Sequence, residues 1–467
     1  MNILFAASEL TPYAKTGGLG DVLAALPAAL RGNGHSVSVV LPLYRQLHAS
    51  LEGLQHTKLA VEVELGEQTL TARIWQAVSR DGVTVFAIER DEFFDRGNLY
   101  GANGEDYFDN AARFIFFSKA VVALAENLDP RPEILHANDW QAALIPLIVK
   151  SEQLPFKTVL TIHNLAYQGV FPARDFTLTN LPGFYLKPHA LEYYGQMNLL
   201  KGGILFADAV TTVSPGYAKE ILTEQHGCGL DGALMTRREA LTGILNGIDA
   251  ELWNPAKDKW IAAQYDARHL PAKEKNKDAL LKFFKLSIGR QPLFGVISRL
   301  VEQKGIELIL SVAPEILQQG AGLVVLGSGD AQYEAEFKKL AQQYPKQVAV
   351  SIGFDEQLAH RIEAGCDIFL MPSRFEPCGL NQFYSMRYGT IPVVHDIGGL
   401  GDSVRDGETG LKFRDFNTES FGKAVNTALK LFGDRKKWPV LQIRTMQQDF
   451  SWQRRVPEYE KIYQSLV

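Results

Sequence analysis

The chain contains few cysteines and no metal-type cysteine spacing. Its 467 residues include only Cys228, Cys366 and Cys378, an odd number that forms no regular pairs. So few cysteines in a chain of this length are typical of a reducing compartment. We therefore expect a cytoplasmic protein, and the composition argues against a small secreted domain held together by disulfides.

Long apolar runs and an excess of positive charge are also missing. No stretch reaches the roughly 18–20 apolar residues that a membrane-spanning helix requires. The apolar start Met1–Ala7 has no basic leader and is followed by Glu9, so we interpret it as a strand and not as a signal peptide. A formal net charge of -5 gives no general attraction for nucleic acid or anionic membranes. Any anion that the protein binds must therefore meet local cations.

Short apolar segments alternate with helical ones in both halves of the chain. Asn2–Ser8 is predicted to be a buried strand, a helix follows the glycines after Lys15, and Gly34–Pro42 is the next strand. Leu293–Ser298 starts a second series of the same kind, which runs to Ile391–Val394. The pattern predicts an α/β protein with two Rossmann-like, doubly wound parallel sheets.

The length and the two series predict the domain organisation. We expect an N-terminal domain of residues 1–245, a C-terminal domain of residues 246–448, and a final helix in residues 449–467 that returns to the N-terminal domain. The carboxyl edges of the two sheets are expected to face each other across a deep interdomain cleft. The charged segment Lys257–Lys285 is predicted to be helical, with its lysines on a solvated face instead of a phosphate site.

A glycine-rich loop follows the first strand. A dinucleotide-binding fingerprint would need a glycine at position 23, where Leu23 stands, and in a phosphate-binding Walker loop the lysine would follow the glycines that Lys15 precedes. What remains is one cation and approachable backbone N–H groups at a helix start, a combination that suits an anion. A turn shaped only for packing is the alternative.

Polar and aromatic residues end three other predicted strands. Ile134–Gln141 and Thr158–Gly169 each close with histidine, asparagine and an aromatic ring, as sugar sites do, although a structural role is the alternative. Met371–Leu380 ends an apolar run in a charged turn, and a second glycine turn at Gly398–Val404 follows. Ligands of open α/β sheets bind at this edge, so both turns are predicted to face a ligand.

Seven motifs in this order resemble those of bacterial glycogen synthases and plant starch synthases. The resemblance covers essentially the whole chain. The motifs are Lys15–Leu19, His136–Trp140, His163–Gly169, Asn246–Asp249, Ser298–Leu300 with Lys304 and Gly305, Ser373–Leu380, and Gly398–Leu400.

The resemblance implies the two-domain GT-B fold and a retaining glucosyltransferase. Glucose would move from ADP-glucose to the non-reducing end of an α-1,4-glucan such as glycogen or a maltooligosaccharide. The N-terminal domain would bind the glucan acceptor, and the C-terminal domain the nucleotide-sugar donor. We expect no metal and no bound cofactor, because no Asp-x-Asp pair stands at a suitable strand end and fixed cations would neutralise the diphosphate. The oligomeric state stays open.

The resemblance also implies roles for individual residues. Glu376 would be the essential carboxylate, supporting the positive sugar ring, while the phosphate that leaves would act as base on the same face of the sugar. The other catalytic residues are Lys15, His163, Arg299 and Lys304. The donor-binding residues are Gly18, Asp21, Asp139, Asn246, Phe354, Cys378, Gly379, Leu380 and Asn381. Trp140, Tyr167 and Tyr100, the last in the polar loop Gly97–Asp109, are candidates for the acceptor.

At four positions the chain departs from patterns that are common in related enzymes. Many GT-B enzymes carry a second glutamate eight positions after the first, where this chain has Tyr384, which favours the glycogen and starch synthase branch. Asn381 replaces a common threonine, Phe354 a common tyrosine and Gly401 a common alanine. Since Asn381 and Phe354 are expected near the nucleotide, the preference for the base is less secure than the reaction class.

Other functions remain open at this point. One is a retaining GT-B transferase that uses UDP-glucose or another acceptor, which a donor comparison would reveal. Another is a catalytically silent glucan-binding protein, which would be expected to have lost Glu376, Lys15 or Arg299. A dehydrogenase is disfavoured by the broken fingerprint, and a phosphorylase would require pyridoxal phosphate.

Overall fold

The computed structural model describes residues 1–102 and 104–467. Asn103, which falls in the predicted polar loop Gly97–Asp109, lies outside the described residues. In the described part of the chain, no helix is both long and apolar enough to cross a membrane. Two compact units are found: Met1–Gly247 with Trp452–Val467 forms unit 1, and Ile248–Ser451 forms unit 2.

Unit 1 is built around a mostly parallel sheet. Its described strands are β1 (Asn2–Ala6), β2 (Ser36–Pro42), β3 (Gln55–Leu65), β4 (Gln68–Val78), β5 (Thr84–Glu89), β6 (Gly101–Ala102), β7 (Glu105–Asp106), β8 (Ile134–Asn138), β9 (Lys157–Ile162), β10 (Val170–Pro172), β11 (Glu192–Tyr193), β12 (Gln196–Asn198), β13 (Ala209–Thr212) and β14 (Leu241–Gly243). Nine of them form one sheet in the order β14-β13-β9-β8-β1-β2-β5-β4-β3. The strands from β14 to β5 are parallel, and β3 and β4 add an antiparallel hairpin at one edge.

The order of the parallel strands fixes where unit 1 binds ligands. The chain starts in the middle with β1, places β2 to β5 on one side, and then returns to add β8 and the later strands of this sheet on the other side. Ligands of such sheets bind at the carboxyl ends of the strands where this reversal occurs. In unit 1 that place lies beyond β1 and β8.

Helices cover the sheet of unit 1. They are α1 (Gly18–Gly32), α2 (Arg45–Ser50), α3 (Asp91–Phe94), α4 (Asn110–Asn127), α5 (Asp139–Ala142), α6 (Ile145–Ser151), α7 (Leu199–Phe206), α8 (Pro215–Glu220) and α9 (Asp231–Thr236). Helix α4 carries the apolar stretch Ala111–Leu124, and most of its side chains are buried. A helix that is apolar on nearly every side must be enclosed by other elements, which is why α4 is a core helix.

Unit 2 repeats the doubly wound design with a fully parallel sheet. Its described strands are β15 (Leu293–Ile297), β16 (Gly322–Gly327), β17 (Val348–Ile352), β18 (Ile368–Met371), β19 (Ile391–His395) and β20 (Leu411–Phe413), in the sheet order β17-β16-β15-β18-β19-β20. The register pairs Phe294 with Ile368, so β15 and β18 are neighbours at the reversal point. The loops that follow β15 and β18 therefore occupy the expected ligand edge.

The helices of unit 2 pack on both faces of its sheet. They are α10 (Lys273–Phe284), α11 (Ile306–Gln318), α12 (Ala331–Gln343), α13 (Glu356–Gly365), α14 (Asn381–Arg387), α15 (Gly398–Ser403), α16 (Thr418–Gly433) and α17 (Lys437–Met446). In α11, the side chains of Ile306, Ile309, Val312 and Ile316 are buried. Their spacing of three or four residues puts them on one face of the helix, and that face packs into the core with Phe294.

The last helix, α18 (Val456–Leu466), belongs to unit 1. The hydroxyl of its Tyr463 lies 2.8 Å from Nδ1 of His136, whose Nε2 lies 2.6 Å from the hydroxyl of Thr161. Burial lowers the pKa of His136 to about 3, so the ring is neutral. His136 therefore binds the terminal helix to the sheet. Its side chain is buried, so it is not available to contact a sugar.

The segment Lys257–Lys285 differs from its prediction. Only Lys273–Phe284 is an α-helix, and the residues before it form turns and a short 3-10 helix. Lys273 and Lys277 are buried instead of solvated: Lys273 Nζ donates to the carbonyl oxygens of Glu363 and Ala364, and Lys277 pairs with Asp367 at 2.8 Å. The number of lysines in a segment therefore does not show whether their side chains are exposed. Lys273 and Lys277 are buried because each donates to backbone carbonyl oxygens.

The buried carboxyl group of Glu363 makes stability depend on pH. Burial raises its pKa to about 8 from the usual 4.5, although the hydroxyl of Ser385 donates to it. A carboxyl group whose pKa is raised on folding stabilises the native state fully below the unfolded pKa and loses this contribution as pH rises through the folded pKa. Burial lowers the pKa of Lys273 to about 8, so in the folded state this lysine begins to lose its proton only at the upper end of that window.

We therefore expect Glu363→Gln to flatten the decline of stability between about pH 5 and pH 8. Thermal denaturation should give the free energy of unfolding of both proteins at pH 5 and at pH 8. The difference, variant minus wild type, should be larger at pH 8 than at pH 5 by on the order of 1 kcal/mol or more, since one pKa unit corresponds to about 1.4 kcal/mol. Glu356→Gln, on the exposed face of the same helix, is the control and should leave the decline unchanged. Identical pH profiles for wild type and Glu363→Gln would contradict the prediction.

Candidate active site

A carboxylate and an ammonium group meet at the reversal point of unit 2. Lys304 Nζ donates to Glu376 Oε2 at 2.6 Å, and the hydroxyl of Ser373 donates to the same oxygen at 2.9 Å. Lys304 follows β15 and Glu376 follows β18, so two separate loops supply the pair. Glu376 is 6% exposed, which means that its charge depends on these donors and on whatever binds beside it.

Glycines allow the loops of unit 2 to approach each other closely. Gly305 has φ of +65°, and a Cβ there would stand 2.0 Å from the carbonyl oxygen of Pro372. At Gly399 a Cβ would lie 2.3 Å from the carbonyl oxygen of Cys378, and the Gly399 N–H donates to the carbonyl of Glu376 at 3.1 Å. Larger residues at Gly305 or Gly399 would push these loops apart and displace the Lys304–Glu376 pair.

Gln303 connects the two loops through its side chain and its main chain. Its Oε1 accepts from a guanidinium nitrogen of Arg299 at 3.2 Å, its Nε2 donates to the carbonyl of Phe375 at 3.2 Å, and its own carbonyl accepts from the Arg374 N–H at 2.8 Å. The predicted cation Arg299 is thus held at the same sheet edge as Glu376. The sequence analysis assigned no role to Gln303 or Ser373, although Ser373 begins one of the seven motifs, because neither residue type indicates by itself which loops it will connect.

The residues predicted to bind the nucleotide lie beyond the neighbouring strand ends. Phe354 follows β17 and its ring is 80% exposed, as a stacking surface would be. Gly379 has φ of +72° just before α14, whose first residue Asn381 donates through Nδ2 to the carbonyl of Ile297. The side chain of Cys378 is buried. Its predicted contact with the nucleotide sugar, like those of Gly379 and Leu380, would therefore be made by the main chain.

In unit 1, the predicted cation Lys15 lies beyond β1 at the reversal point. Its Nζ pairs with Asp21 Oδ1 at 2.6 Å, and Thr11 donates to the same oxygen at 3.0 Å. Asp21 stands in the first turn of α1, which begins at Gly18. The first N–H groups of a helix have no partner within the helix, so Gly18 combines open donors with a nearby ammonium group.

His163 and Asp139 form one hydrogen-bonded group beyond β8 and β9. Asp139 accepts from the His163 N–H at 2.7 Å, and Nε2 of His163 lies 3.0 Å from Asn138 Oδ1. Burial raises the pKa of Asp139 to about 7 and lowers the pKa of His163 to about 3. Asp139 also has φ of +55°, a strained value of the kind that concentrates at functional sites. A neutral imidazole in this position can hydrogen-bond a sugar but carries no positive charge.

The acceptor predictions have different outcomes. Trp140 is only 9% exposed: Gly169 lies against its ring, where a Cβ would come within 2.4 Å, and Phe114 packs edge-on at 4.8 Å. The predicted stacking of Trp140 on a sugar is therefore not supported, because its ring is enclosed by the core. Tyr167 is 53% exposed and stays a candidate. Tyr100 directs its hydroxyl to Ser8 and Glu9, a contact discussed below.

Asn246 is the remaining donor-binding candidate of unit 1. It is buried, and within the described residues its Oδ1 has no hydrogen-bond partner. Buried polar atoms are almost always satisfied, so an orphaned oxygen next to a predicted site is consistent with a ligand contact. Among all residues that the structure describes, no cluster of three or more histidine, cysteine, aspartate or glutamate side chains is arranged to hold a metal ion.

Comparisons with known proteins show the family to which the chain belongs. Residues 2–236 match the family described as starch synthase catalytic domain, and residues 278–439 match glycosyl transferases group 1. A glycogen synthase from Cellvibrio japonicus is 48% identical over 100% of this chain and 99% of its own length. One from Anaeromyxobacter sp. is 47% identical, with 100% of both chains covered.

Solved structures give the same result. The catalytic domain of starch synthase IV from Arabidopsis thaliana, bound to ADP and acarbose, superposes with a TM-score of 0.92 at 35% identity and 99% coverage of both chains. A sucrose-phosphate synthase from Thermosynechococcus elongatus shares the fold, with a TM-score of 0.63 at 16% identity over 100% of this chain and 98% of that one. The predicted GT-B fold is thereby confirmed, and the chain belongs to the glycogen and starch synthase family of glycosyltransferases.

Proposed function

We propose that the protein transfers glucose from ADP-glucose to the non-reducing end of an α-1,4-glucan and retains the anomeric configuration. The observation that carries this proposal is the Lys304–Glu376 pair at the reversal point of unit 2, in a chain that belongs to this family. The few cysteines, all free, fit the reducing cytoplasm, where we propose that the reaction takes place.

The charges of the pair match those that develop during the reaction. Breaking the bond between glucose and the diphosphate leaves negative charge on the phosphate and positive charge on the sugar ring. Fixed groups of opposite sign lower the barrier when they are held in place before the reaction begins. We assign Lys304 and Arg299 to the diphosphate, and Glu376 to the glucose hydroxyls and the positive ring.

Unit 1 contributes its own polar groups to the proposal. Lys15 and the first N–H groups of α1, from Gly18 onward, are proposed to bind phosphate of the donor. The ion pair with Asp21 fixes the position of the Lys15 ammonium group before an anion binds. A phosphate group that binds Lys15 has to compete with Asp21, so Asp21 orients the lysine at some cost in affinity. Asp139 and the orphaned oxygen of Asn246 are proposed to bind donor glucose.

The state of His163 fits attack on the same face of the sugar from which the phosphate leaves. Because burial keeps the imidazole neutral, His163 cannot repel the positive ring in the transition state. We propose that the ring and the main-chain carbonyl of His163 line the reactive face. The leaving phosphate oxygen would then take the proton of the incoming glucan hydroxyl.

Phe354 provides a test of the nucleotide contact. Loss of one base–aromatic stack costs about 1–3 kcal/mol, so we expect Phe354→Ala to raise the KM for ADP-glucose about 10-fold and to change kcat by less than about 3-fold. Phe283→Ala removes another exposed phenylalanine of unit 2, on α10, and should leave both constants unchanged. An unaltered KM in Phe354→Ala would show that the ring does not hold the base.

A donor comparison tests the function itself. Initial rates with ADP-glucose and with UDP-glucose, each with maltoheptaose, should show transfer from ADP-glucose at the higher kcat/KM. A higher value with UDP-glucose would retain the reaction class and overturn the donor. Binding of maltoheptaose without transfer from either donor would identify a silent glucan-binding protein.

A further inference from the structure

Glu9 is a buried carboxylate that the proposed reaction leaves without a role. It follows the apolar strand β1, is 3% exposed, and forms no ion pair among the described residues. Four donors satisfy it instead. The Thr16 N–H lies at 2.8 Å, the Thr16 hydroxyl at 2.5 Å, the Gly17 N–H at 3.1 Å and the Tyr100 hydroxyl at 2.8 Å.

These bonds fix the backbone between Lys15 and helix α1. Thr16 and Gly17 directly follow Lys15, and Gly17 is the N-cap of the helix. Each hydrogen bond that Glu9 accepts from a backbone N–H group fixes the orientation of one peptide group in this loop. A charged acceptor forms stronger bonds than a neutral one, so the carboxylate is well suited to hold a glycine loop that has little conformational preference of its own.

Tyr100 holds Glu9 from the other side. Its hydroxyl lies 2.7 Å from the hydroxyl of Ser8 and donates to Glu9. Burial, together with the charge of Glu9, raises the pKa of Tyr100 well above its usual range, so the phenol remains a donor. The main chain around it is fixed by Asn110, which donates to the Tyr100 carbonyl at 2.9 Å, and by the buried Arg113, which donates to the Leu99 carbonyl at 2.9 Å.

The arrangement does not suit a catalytic base. Both oxygens of Glu9 already accept hydrogen bonds from the protein, and the residue is almost fully enclosed. A base has to reach a proton of the substrate. The contacts of Glu9 lead only to the loop and to Tyr100.

We propose that Glu9 and Tyr100 are positioning residues, which set the conformation of the Lys15–Gly18 loop and thereby its grip on the donor diphosphate. The second part of this inference rests on the proposed function. Tyr100 acts through Glu9, and therefore belongs to the organisation of the loop more than to the stacking of acceptor glucose.

Kinetics of Glu9→Gln, Tyr100→Phe and the double variant test the proposal. Glutamine keeps the shape of Glu9 but turns an NH2 group toward donors, so we expect kcat/KM for ADP-glucose to fall about 10-fold or more, mainly through KM. Tyr100→Phe should cause a smaller loss. The double variant should be no worse than Glu9→Gln, because residues that act through one network are not additive.

Tyr44→Phe is the matched control. Tyr44 is buried nearby against Phe94, and in the described structure its hydroxyl has no hydrogen-bond partner. Tyr44→Phe removes the same atom as Tyr100→Phe, but in the described structure that oxygen makes no hydrogen bond to Glu9 or to the loop. Kinetic losses of equal size in Tyr44→Phe and Tyr100→Phe would overturn the proposal, as would fully additive losses in the double variant.

Limited trypsin digestion gives a readout that does not depend on activity. A loosened loop should be cut after Lys15 several-fold faster in Glu9→Gln and Tyr100→Phe than in wild type and Tyr44→Phe, at temperatures where all four are folded. Equal cleavage rates in all four proteins would overturn the positioning role. Faster cleavage in a protein that does not transfer glucose from ADP-glucose would retain that role and reject the proposed function instead.

Discussion

Replacing Glu376 with glutamine is expected to lower kcat for glucose transfer from ADP-glucose by about 100-fold or more. Glutamine fills the same space beside Ser373 and Lys304 but lacks the negative charge that would support the sugar ring. An interaction realised mainly in the transition state affects kcat and kcat/KM together, so KM should change little. The measurement is steady-state release of ADP in the presence of maltoheptaose.

A control in the adjoining loop separates this effect from a general loss of charge. Glu302 is exposed and pairs with Arg374 at 3.3 Å, so Glu302→Gln should retain turnover within about 2-fold. The thermal midpoint of Glu376→Gln should confirm that the variant is folded. Turnover near the wild-type value would remove Glu376 from the catalytic residues.

Replacing Lys304 with methionine should also reduce kcat by about 100-fold, because one preorganised cation at a developing anion contributes on this scale. Methionine keeps the length of the side chain and removes the charge. It also removes the ammonium donor of the buried Glu376 carboxylate and leaves it with the hydroxyl of Ser373, which destabilises the loop between β18 and α14. Arg299→Ala should cause a loss of similar size, since Arg299 is assigned to the same diphosphate.

Lys412→Met is matched to Lys304→Met. Lys412 also pairs with a carboxylate of unit 2, Asp396, at 2.8 Å, and both lysine side chains are 19% exposed. Neither Lys412 nor Asp396 follows β15 or β18, so this variant should stay within about 3-fold of wild-type kcat. Equal losses in the two variants would show that any buried ion pair of unit 2 has the same effect, and the leaving-group assignment would then be wrong.

The fold was largely readable because its strands are continuous apolar runs. The strands within Asn2–Ser8 and Leu293–Ser298 are mostly buried in their parallel sheets, so apolar residues fill nearly all of their positions and the runs stand out. The segment Lys257–Lys285 was predicted less well. Its buried Lys273 donates to backbone carbonyls of α13, and its buried Lys277 donates to the Gln291 carbonyl and pairs with Asp367. Nothing in the local sequence shows which of these acceptors lie near in space.

The candidate site was predicted from motifs that resemble the family and from charged residues beside predicted strand ends. The structure places Glu376 and Lys304 together, whereas the catalytic roles of Glu376, Lys304 and Lys15 stay predictions. Trp140 was interpreted from its neighbours in the chain, whereas its surroundings are set by Gly169 and Phe114, which are remote in sequence. The position of Glu9 in the sequence was a weak indication of its role. An acidic residue between a buried apolar strand and a glycine loop is expected to need hydrogen-bond donors.

A crystal structure with ADP tests the central claim most directly, namely that fixed cations at the reversal point of unit 2 hold the diphosphate. The account predicts phosphate oxygens within about 3 Å of Lys304 Nζ and of the Arg299 guanidinium, beyond the carboxyl ends of β15 and β18. A diphosphate bound at any other edge of the sheet, out of reach of both side chains, would contradict it.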